Sequence, residues 1–255
     1  MGEVENNKQG KRTIGDVILM CFGGYSKKEK VHEETKTRRG LSNSTGAGTR
    51  LGVDEKPLRR IADSFQELAN VISSSDGASD LDPAAFSRAC AFVAPLFGCV
   101  GFHFKFIEMD YVTKVKDLAE ASKSFGTLEA MVDEDVQTNS VRIQGSHSRN
   151  LLKIKHGLHF LKVLFEQILL TEGHSIREPV SKAYTQIFNS YHGWALRKAV
   201  AARIHHIPTK QQLFKKLGED ESSARALMQT YILASPPLLQ HVEKIFLERE
   251  LGIDW

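Results

Sequence analysis

The sequence contains few cysteines, few prolines and no long uninterrupted apolar run. Of 255 residues, seven are proline and three are cysteine, which excludes a collagen-like chain and a small disulfide-stapled domain. The three cysteines, Cys21, Cys90 and Cys99, show no Cys-x-x-Cys spacing, and no secretory apolar segment accompanies them. This cysteine usage favours a reduced, cytoplasmic setting.

The longest nearly apolar stretch runs from Ala89 to Phe102 and is interrupted by Pro95, Gly98 and Gly101. A membrane-spanning helix needs about 20 apolar residues, so we expect a soluble protein. Apolar residues make up 41% of the chain and charged residues 25%. These are ordinary globular values, which exclude disorder of the whole chain.

The charges divide the chain into two parts. Residues 1–54 carry ten Lys and Arg against seven Asp and Glu, whereas residues 55–255 carry 24 against 24. Glycines are scattered among the charges of the first part, which predicts a flexible, mildly basic N-terminal extension followed by one main domain. Because no broad basic surface is indicated, we expect no nucleic-acid partner.

The main domain has the apolar spacing of helices. From Lys56 onward apolar residues recur every three or four positions, as in Leu58, Ile61 and Phe65. Asp82 followed by a proline is typical of a helix start. No run alternates in the manner of a strand. The sequence therefore predicts an all-α domain of about eight helices.

The common enzyme and metal motifs are absent from the sequence. It has no Gly-x-Ser-x-Gly elbow, Walker loop, His-Glu-x-x-His pair or EF-hand loop. Cys90 and Cys99 are most simply small buried apolar residues. We therefore expect a protein that is not an enzyme, with no cofactor and no metal site.

Two pairs of charged residues and one histidine are the candidates for a binding site. Asp110 and Lys114 lie at i and i+4, a spacing that by itself is also that of a surface ion pair worth about 0.3–0.5 kcal/mol. Arg149 and Lys153 have the same spacing, which suits an anion between them or a solvated basic flank. His192 joins two predicted helices, where a structural, hydrogen-bonded histidine is the simpler interpretation.

Five short motifs, which contain or adjoin these residues, occur in the same order as in a known protein family. The segments Pro95–Gly98, Phe106–Lys114, Ser146–Lys153 and His192–Trp194, and the ending Leu251–Trp255, resemble the glycolipid transfer protein superfamily. They are most similar to its plant ceramide-1-phosphate transfer branch, the accelerated-cell-death type. The resemblance covers about residues 55–255 and implies a two-layer helical sandwich that encloses the chains of a sphingolipid.

The resemblance also implies a role for each polar residue. Asp110 would accept hydrogen bonds from the ceramide amide and the sphingoid hydroxyl, and His192 would donate to the acyl carbonyl. Lys114, Arg149 and Lys153 would hold the phosphate. The phosphate branch usually has arginine where this chain has Lys153, and lysine lacks the bidentate fork of arginine. His156 also stands where a second basic residue is common.

The apolar and aromatic residues near these motifs extend the predicted site. We expect the lipid chains to lie among six side chains, although core packing is the simpler role for any one of them: Phe97, Phe102, Phe106, Leu152, Leu158 and Phe165. Tyr191 and Trp194 are amphipathic and are predicted to contact the membrane interface.

Together these features predict a cytoplasmic, non-enzymatic protein that transfers or senses a sphingolipid, with ceramide-1-phosphate expected and transient contact with a membrane surface. Control of programmed cell death is a role that the plant relatives suggest. An adaptor that keeps the helical fold and acts through protein partners, with residues 1–54 as a docking arm, is the alternative. The sequence does not indicate which protein partners such an adaptor would bind.

Overall fold

The computed structural model describes residues 56–74, 81–100 and 105–255, and within these ranges the chain forms ten helices and no strand. The predicted N-terminal extension, residues 1–54, lies outside the described residues. The helices are α1 (Pro57–Ser74), α2 (Pro83–Ala91), α3 (Ala94–Val100), α4 (Lys105–Ala121), α5 (Leu128–Gln137), α6 (His147–Leu170), α7 (Arg177–Phe188), α8 (Trp194–Ile204), α9 (Lys210–Lys216) and α10 (Glu221–Leu247).

Short polar side chains cap the starts of several of these helices. The carboxylate of Asp82 accepts from the amides of Ala84 and Ala85, with proline at the first helical position of α2. The hydroxyl of Ser146 accepts from the amide of Arg149 at the start of α6. Capping of this kind satisfies amides that have no partner within the helix.

Helix α6 lies at the centre of the packing. It contacts α4, α5, α7 and α10, and α10 also packs along α1. In the core between them the ring of Tyr231 meets Phe65 and Phe165 edge to face, at centroid distances of 4.8 and 5.5 Å. The hydroxyl of Tyr231 donates to the carbonyl of Leu158 at 3.0 Å. The hydrogen bond therefore fixes α10 against α6.

The all-α prediction is confirmed, with ten helices in the described ranges where about eight were expected. One source of the difference is the apolar segment Pro83–Val100, which forms two helices because Pro95 has no N–H to continue α2. By length and composition alone this segment resembles a membrane span, and 44% of it is buried within the fold. Phe86, Cys90 and Leu96 in it belong to the hydrophobic core.

Candidate functional site

A cavity of about 120 Å³ lies among α3, α4, α6, α7 and α8. Four of the five predicted head-group residues line it: Asp110, Lys114, Lys153 and His192. Most of the remaining wall is apolar or aromatic and is formed by Phe97, Val100, Ile107, Tyr111, Gly157, Phe160, Leu164, Val180, Tyr184, Phe188, Tyr191 and Val200, with His156 as one further polar residue. The fold thus brings four polar groups from three separate segments of the chain to one largely apolar cavity.

Asp110 and Lys114 form an ion pair within the cavity wall. The ammonium of Lys114 donates to Oδ1 of Asp110 at 2.5 Å, and both side chains are largely buried. Burial raises the pKa of Asp110, while the charges of Lys114 and Lys153 act to lower it. The pair is therefore not the solvated surface pair that the spacing alone allows.

Lys153 lies near further cations. Burial lowers the pKa of Lys153, the charges of Arg149 and Lys114 lower it further, and Asp110 acts in the opposite direction. Its ammonium lies 5.9 Å from the centroid of the Tyr191 ring. A buried ammonium beside other cations is stabilised by an anion, because the anion offsets both the burial and the repulsion.

Arg149 precedes Lys153 by one turn of α6 but is not among the residues that line the cavity. It is half-buried, and Nη1 donates to the carbonyl of Arg142 at 3.0 Å. The amide of Ser148 donates to the buried carboxylate of Asp135 at 2.6 Å, and Ser146 caps the amide of Arg149. Because these two amides already have partners, an anion at this turn would be held by the guanidinium of Arg149 and not by these amides.

His192 is buried between aromatic rings. The Tyr184 hydroxyl lies 2.8 Å from Nδ1 of His192, and the Phe188 ring is stacked on the imidazole. Burial, and then the charge of Lys153, lowers the pKa of His192 to about 4. The imidazole is therefore neutral near pH 7 and carries one N–H. The histidine has a hydrogen-bonded, packed setting and also faces the cavity.

His156 joins the same wall from α6. It is 3% exposed and its ring lies 4.5 Å, centroid to centroid, from the Tyr191 ring. Burial is the main cause that lowers the pKa of His156 to about 3, and the charges of Lys155 and Lys153 add to it. By the family resemblance, His156 stands at a position where a basic residue is common, and no role was predicted for it. Its spacing of three residues from Lys153 is what puts both on one face of α6.

A second cavity of about 40 Å³ adjoins the first. Phe97, Val100, Gly157, Phe160 and Leu164 line both cavities. The second is lined in addition by Val93, Leu96, Leu161, Phe165, Ile168, Leu213 and Leu217. An entirely apolar cavity therefore lies beside the polar one, and the two share a wall.

The predicted chain-pocket residues are distributed between these cavities and the core. Phe97 lines both cavities and Phe165 lines the second. Leu152 and Leu158 are fully buried in the core and line neither cavity. Phe102 and the side chain of Phe106 lie outside the described residues. The lining residues Phe160, Leu164, Val180 and Phe188 were not singled out because sequence spacing does not separate a cavity wall from a packed core.

The two predicted membrane-contact residues differ in their surroundings. Tyr191 lines the cavity between Lys153 and His156. Trp194, the first residue of α8, is 66% exposed, and the ammonium of Lys198 lies 4.8 Å from the centroid of its ring. An exposed tryptophan with an adjacent cation suits a membrane–water interface.

Residues 56–74, 81–100 and 105–255 contain no group of three or more His, Cys, Asp and Glu side chains placed to hold a metal ion. Burial raises the pKa of the Cys90 thiol, so this cysteine is not a thiolate nucleophile near neutral pH.

The chain belongs to the glycolipid transfer protein family. Residues 81–219 match the family description "Glycolipid transfer protein (GLTP)". The chain is 48% identical to Accelerated cell death 11 of Arabidopsis thaliana over 202 residues, which cover 79% of this chain and 97% of that protein.

Solved structures agree with this assignment. A crystal structure of an Arabidopsis ACD11 mutant complexed with C12 ceramide-1-phosphate matches 79% of this chain and 100% of its own, with a TM-score of 0.76 and 47% identity. Human ceramide-1-phosphate transfer protein, at 17% identity, matches 76% of this chain and 97% of its own with a TM-score of 0.64, which shows a shared fold. The predicted two-layer helical sandwich is confirmed.

Proposed function

We propose that this chain transfers ceramide-1-phosphate between membranes. The observation that carries the proposal is the cavity in which Asp110, Lys114, Lys153 and His192 share one largely apolar wall. A relative that is 47% identical over most of this chain has been crystallised with ceramide-1-phosphate. A cluster of four polar side chains beside a largely apolar cavity suits a lipid whose head group stays near the surface while its chains enter the protein.

The charges of the site fit a phosphate monoester. Lys114, Arg149 and Lys153 contribute three positive charges and Asp110 one negative charge, which leaves about +2. A phosphate monoester carries about −1.5 to −2 at neutral pH. In this proposal the three cations hold the phosphate, and the anion relieves the repulsion that lowers the pKa of Lys153.

The neutral polar groups of the lipid, which are its amide, hydroxyl and acyl carbonyl, are assigned to Asp110 and His192. Asp110 accepts from the ceramide amide and the sphingoid hydroxyl while it stays paired with Lys114. His192, neutral near pH 7, donates its N–H to the acyl carbonyl. Both residues are held by neighbours before a ligand arrives, which limits the ordering cost of binding.

Transfer requires contact with a membrane and no chemical step. Each CH₂ removed from water contributes about 0.8 kcal/mol, so a 16-carbon chain is held in its bilayer by about 12 kcal/mol. The carrier must replace that environment with its own apolar interior. Trp194 and Tyr191 are proposed to touch the membrane during this exchange, and the protein is proposed to act as a cytoplasmic, non-enzymatic carrier.

The first experiment measures transfer between vesicles of ceramide-1-phosphate and, separately, of a neutral glycosylceramide. We expect transfer of the phosphate lipid only, and its loss in Arg149→Glu. The matched control is Arg88→Glu, the same substitution at an exposed position of α2 outside the cavity wall. Transfer of neither lipid by the unmodified protein would contradict the proposal and favour the adaptor.

A further inference from the structure

The loop between α5 and α6 holds the side chain of Arg149. The loop covers residues 138–146, and the carbonyl of Arg142 within it accepts a hydrogen bond from Nη1 of Arg149 at 3.0 Å. Arg149 lies one turn before Lys153 on α6 but does not line the cavity. The direction in which its guanidinium is held therefore decides how Arg149 faces an anion bound at Lys153.

The side chain of Arg142 ties this loop to the segment Leu251–Trp255. Its Nη2 donates to the carbonyl of Leu251 at 3.2 Å, and its guanidinium carbon lies 5.2 Å from the centroid of the Trp255 ring. Residues 142–145 are exposed, so packing against the core contributes little to their placement. The hydrogen bond and the cation–π contact together anchor this exposed part of the loop.

The segment that receives Arg142 is itself held in place. Nε1 of Trp255 donates to the carbonyls of Leu251 and Gly252, both at 3.1 Å, and the Trp255 ring meets Phe246 of α10 edge to face at 6.1 Å. The amide of Leu251 donates to the carbonyl of Phe246 at 3.0 Å. Gly252 has a φ of 70°, a left-handed conformation that glycine adopts without strain. Trp255 therefore presents a fixed ring face to Arg142.

We infer that Arg142 is a positioning residue for the phosphate site. With its side chain anchored on Leu251 and Trp255, its carbonyl holds the guanidinium of Arg149 in the orientation that binds phosphate. The inference rests on the proposed function, which assigns Arg149 to the phosphate, and extends the site to residues outside the cavity wall. A guanidinium that is held before the ligand arrives loses less side-chain entropy on binding.

A double-mutant cycle tests whether Arg142 acts through Arg149. Affinity for ceramide-1-phosphate is measured by titration in Arg142→Ala, in Arg149→Ala and in the double variant. We expect Arg142→Ala to lower the affinity about three- to tenfold, and to cause no further loss where Arg149 is already replaced, because coupled residues are not additive. Arg88→Ala, at an exposed position of α2, is the control and should leave the affinity unchanged. Losses that simply add in the double variant would overturn the inference.

Substitutions of Trp255 separate positioning from charge. Trp255→Leu removes the ring that faces the Arg142 guanidinium and changes no charge, so it should lower the affinity as Arg142→Ala does. Trp255→Phe keeps an aromatic face and should retain most of the affinity. Unchanged affinity in Trp255→Leu, beside a loss in Arg142→Ala, would mean that Arg142 acts by its charge and would contradict the inference. Thermal unfolding of each variant checks that the fold is retained.

A measurement without lipid keeps the test independent of the proposed function. The Nε–Hε signal of Arg149 in nuclear magnetic resonance spectra reports the surroundings of its guanidinium. We expect this signal to shift in Arg142→Ala and in Trp255→Leu, but not in Arg88→Ala. An Arg149 signal that stays in place in both of the first two variants would refute positioning by Arg142. Failure of the unmodified protein to bind ceramide-1-phosphate would instead contradict the proposed function.

Discussion

The hydroxyl of Tyr184 lies 2.8 Å from Nδ1 of His192, and the Phe188 ring lies flat against the same imidazole, 5.1 Å away and 3° from parallel. Tyr184 and Phe188 are four residues apart on α7, so one helix face fixes both the plane and one nitrogen of the histidine. The orientation of His192 therefore depends on α7 as much as on the turn that carries it.

Tyr184→Phe should weaken lipid transfer more than it weakens the fold. The substitution keeps the ring and removes the hydroxyl, so His192 loses a hydrogen-bond partner worth about 1 kcal/mol. We expect transfer of ceramide-1-phosphate to fall several-fold, measured between vesicles. Tyr231→Phe is the control, because it removes a buried hydroxyl that donates to the Leu158 carbonyl, and Tyr231 lines neither cavity. Equal losses of transfer in both variants would contradict a positioning role for Tyr184.

Asp110→Val should abolish transfer while the protein remains helical. The valine removes the acceptor proposed for the ceramide amide and leaves the ammonium of Lys114 without the carboxylate that now lies 2.5 Å away. Vesicle transfer and far-ultraviolet circular dichroism measure the two effects. Glu120→Val is matched to it, since Glu120 lies on the same helix and the valine breaks its exposed pair with Lys123. Normal transfer by Asp110→Val would remove Asp110 from the proposed site.

Lys153→Arg should strengthen the binding of the phosphate lipid. A guanidinium offers the phosphate two parallel hydrogen bonds, whereas the ammonium acts as a point charge. The ring of Tyr191 already lies beneath this cation and suits a guanidinium equally well. We expect affinity for ceramide-1-phosphate to rise two- to tenfold in a binding titration, with no change for a neutral glycosylceramide. A fall in affinity would mean that the lysine is placed for a different head group.

The helical class and the Asp110–Lys114 pair could be predicted from the sequence for a common reason, whereas the head-group role of these residues rests on the family resemblance. Apolar spacing marks the buried face of a helix, and the start signal at Asp82 is local, so both are visible without the fold. Asp110 and Lys114 are four residues apart, and their pairing is likewise local. What the spacing did not show is that this pair is buried, because burial depends on α6 and α7.

The cavity walls were less accessible to prediction. Leu152 and Phe165 have the same apolar periodicity on α6, yet Leu152 is packed in the core and Phe165 lines the second cavity. His156 is buried beside the ring of Tyr191, which lies on a different segment of the chain. A contact between residues so far apart in sequence has no local signature.

Acidification should destabilise the fold through the two cavity histidines. The folded pKa values of His192 and His156 are about 4 and about 3, below the ordinary value of 6.5. The unfolded chain therefore binds more protons as the pH falls below about 6.5, and stability decreases toward pH 4. The raised pKa of Asp110 acts in the opposite direction. At pH 5 each histidine should lower the free energy of unfolding by about 1–2 kcal/mol relative to pH 7.5.

Urea unfolding at pH 5 and pH 7.5 measures this effect. His156→Phe should reduce the difference between the two pH values, because the variant has no imidazole to protonate. His174→Phe is the control, since His174 is exposed. A pH dependence that is unchanged in His156→Phe would show that other groups control the acid stability of the protein.

Gly157 should control passage between the two cavities, because it lines both. A Cβ at this position would lie 3.4 Å from Cε2 of Tyr111, an ordinary contact. Gly157→Ala is therefore expected to transfer lipid normally and to unfold with a free energy about 0.5–1 kcal/mol higher, since alanine favours the helix over glycine. Gly157→Leu extends further into the shared wall and should abolish transfer. Gly126→Leu, which has open space around its Cβ, is the control for surface hydrophobicity. Normal transfer by a folded Gly157→Leu would show that the lipid chains do not pass this residue.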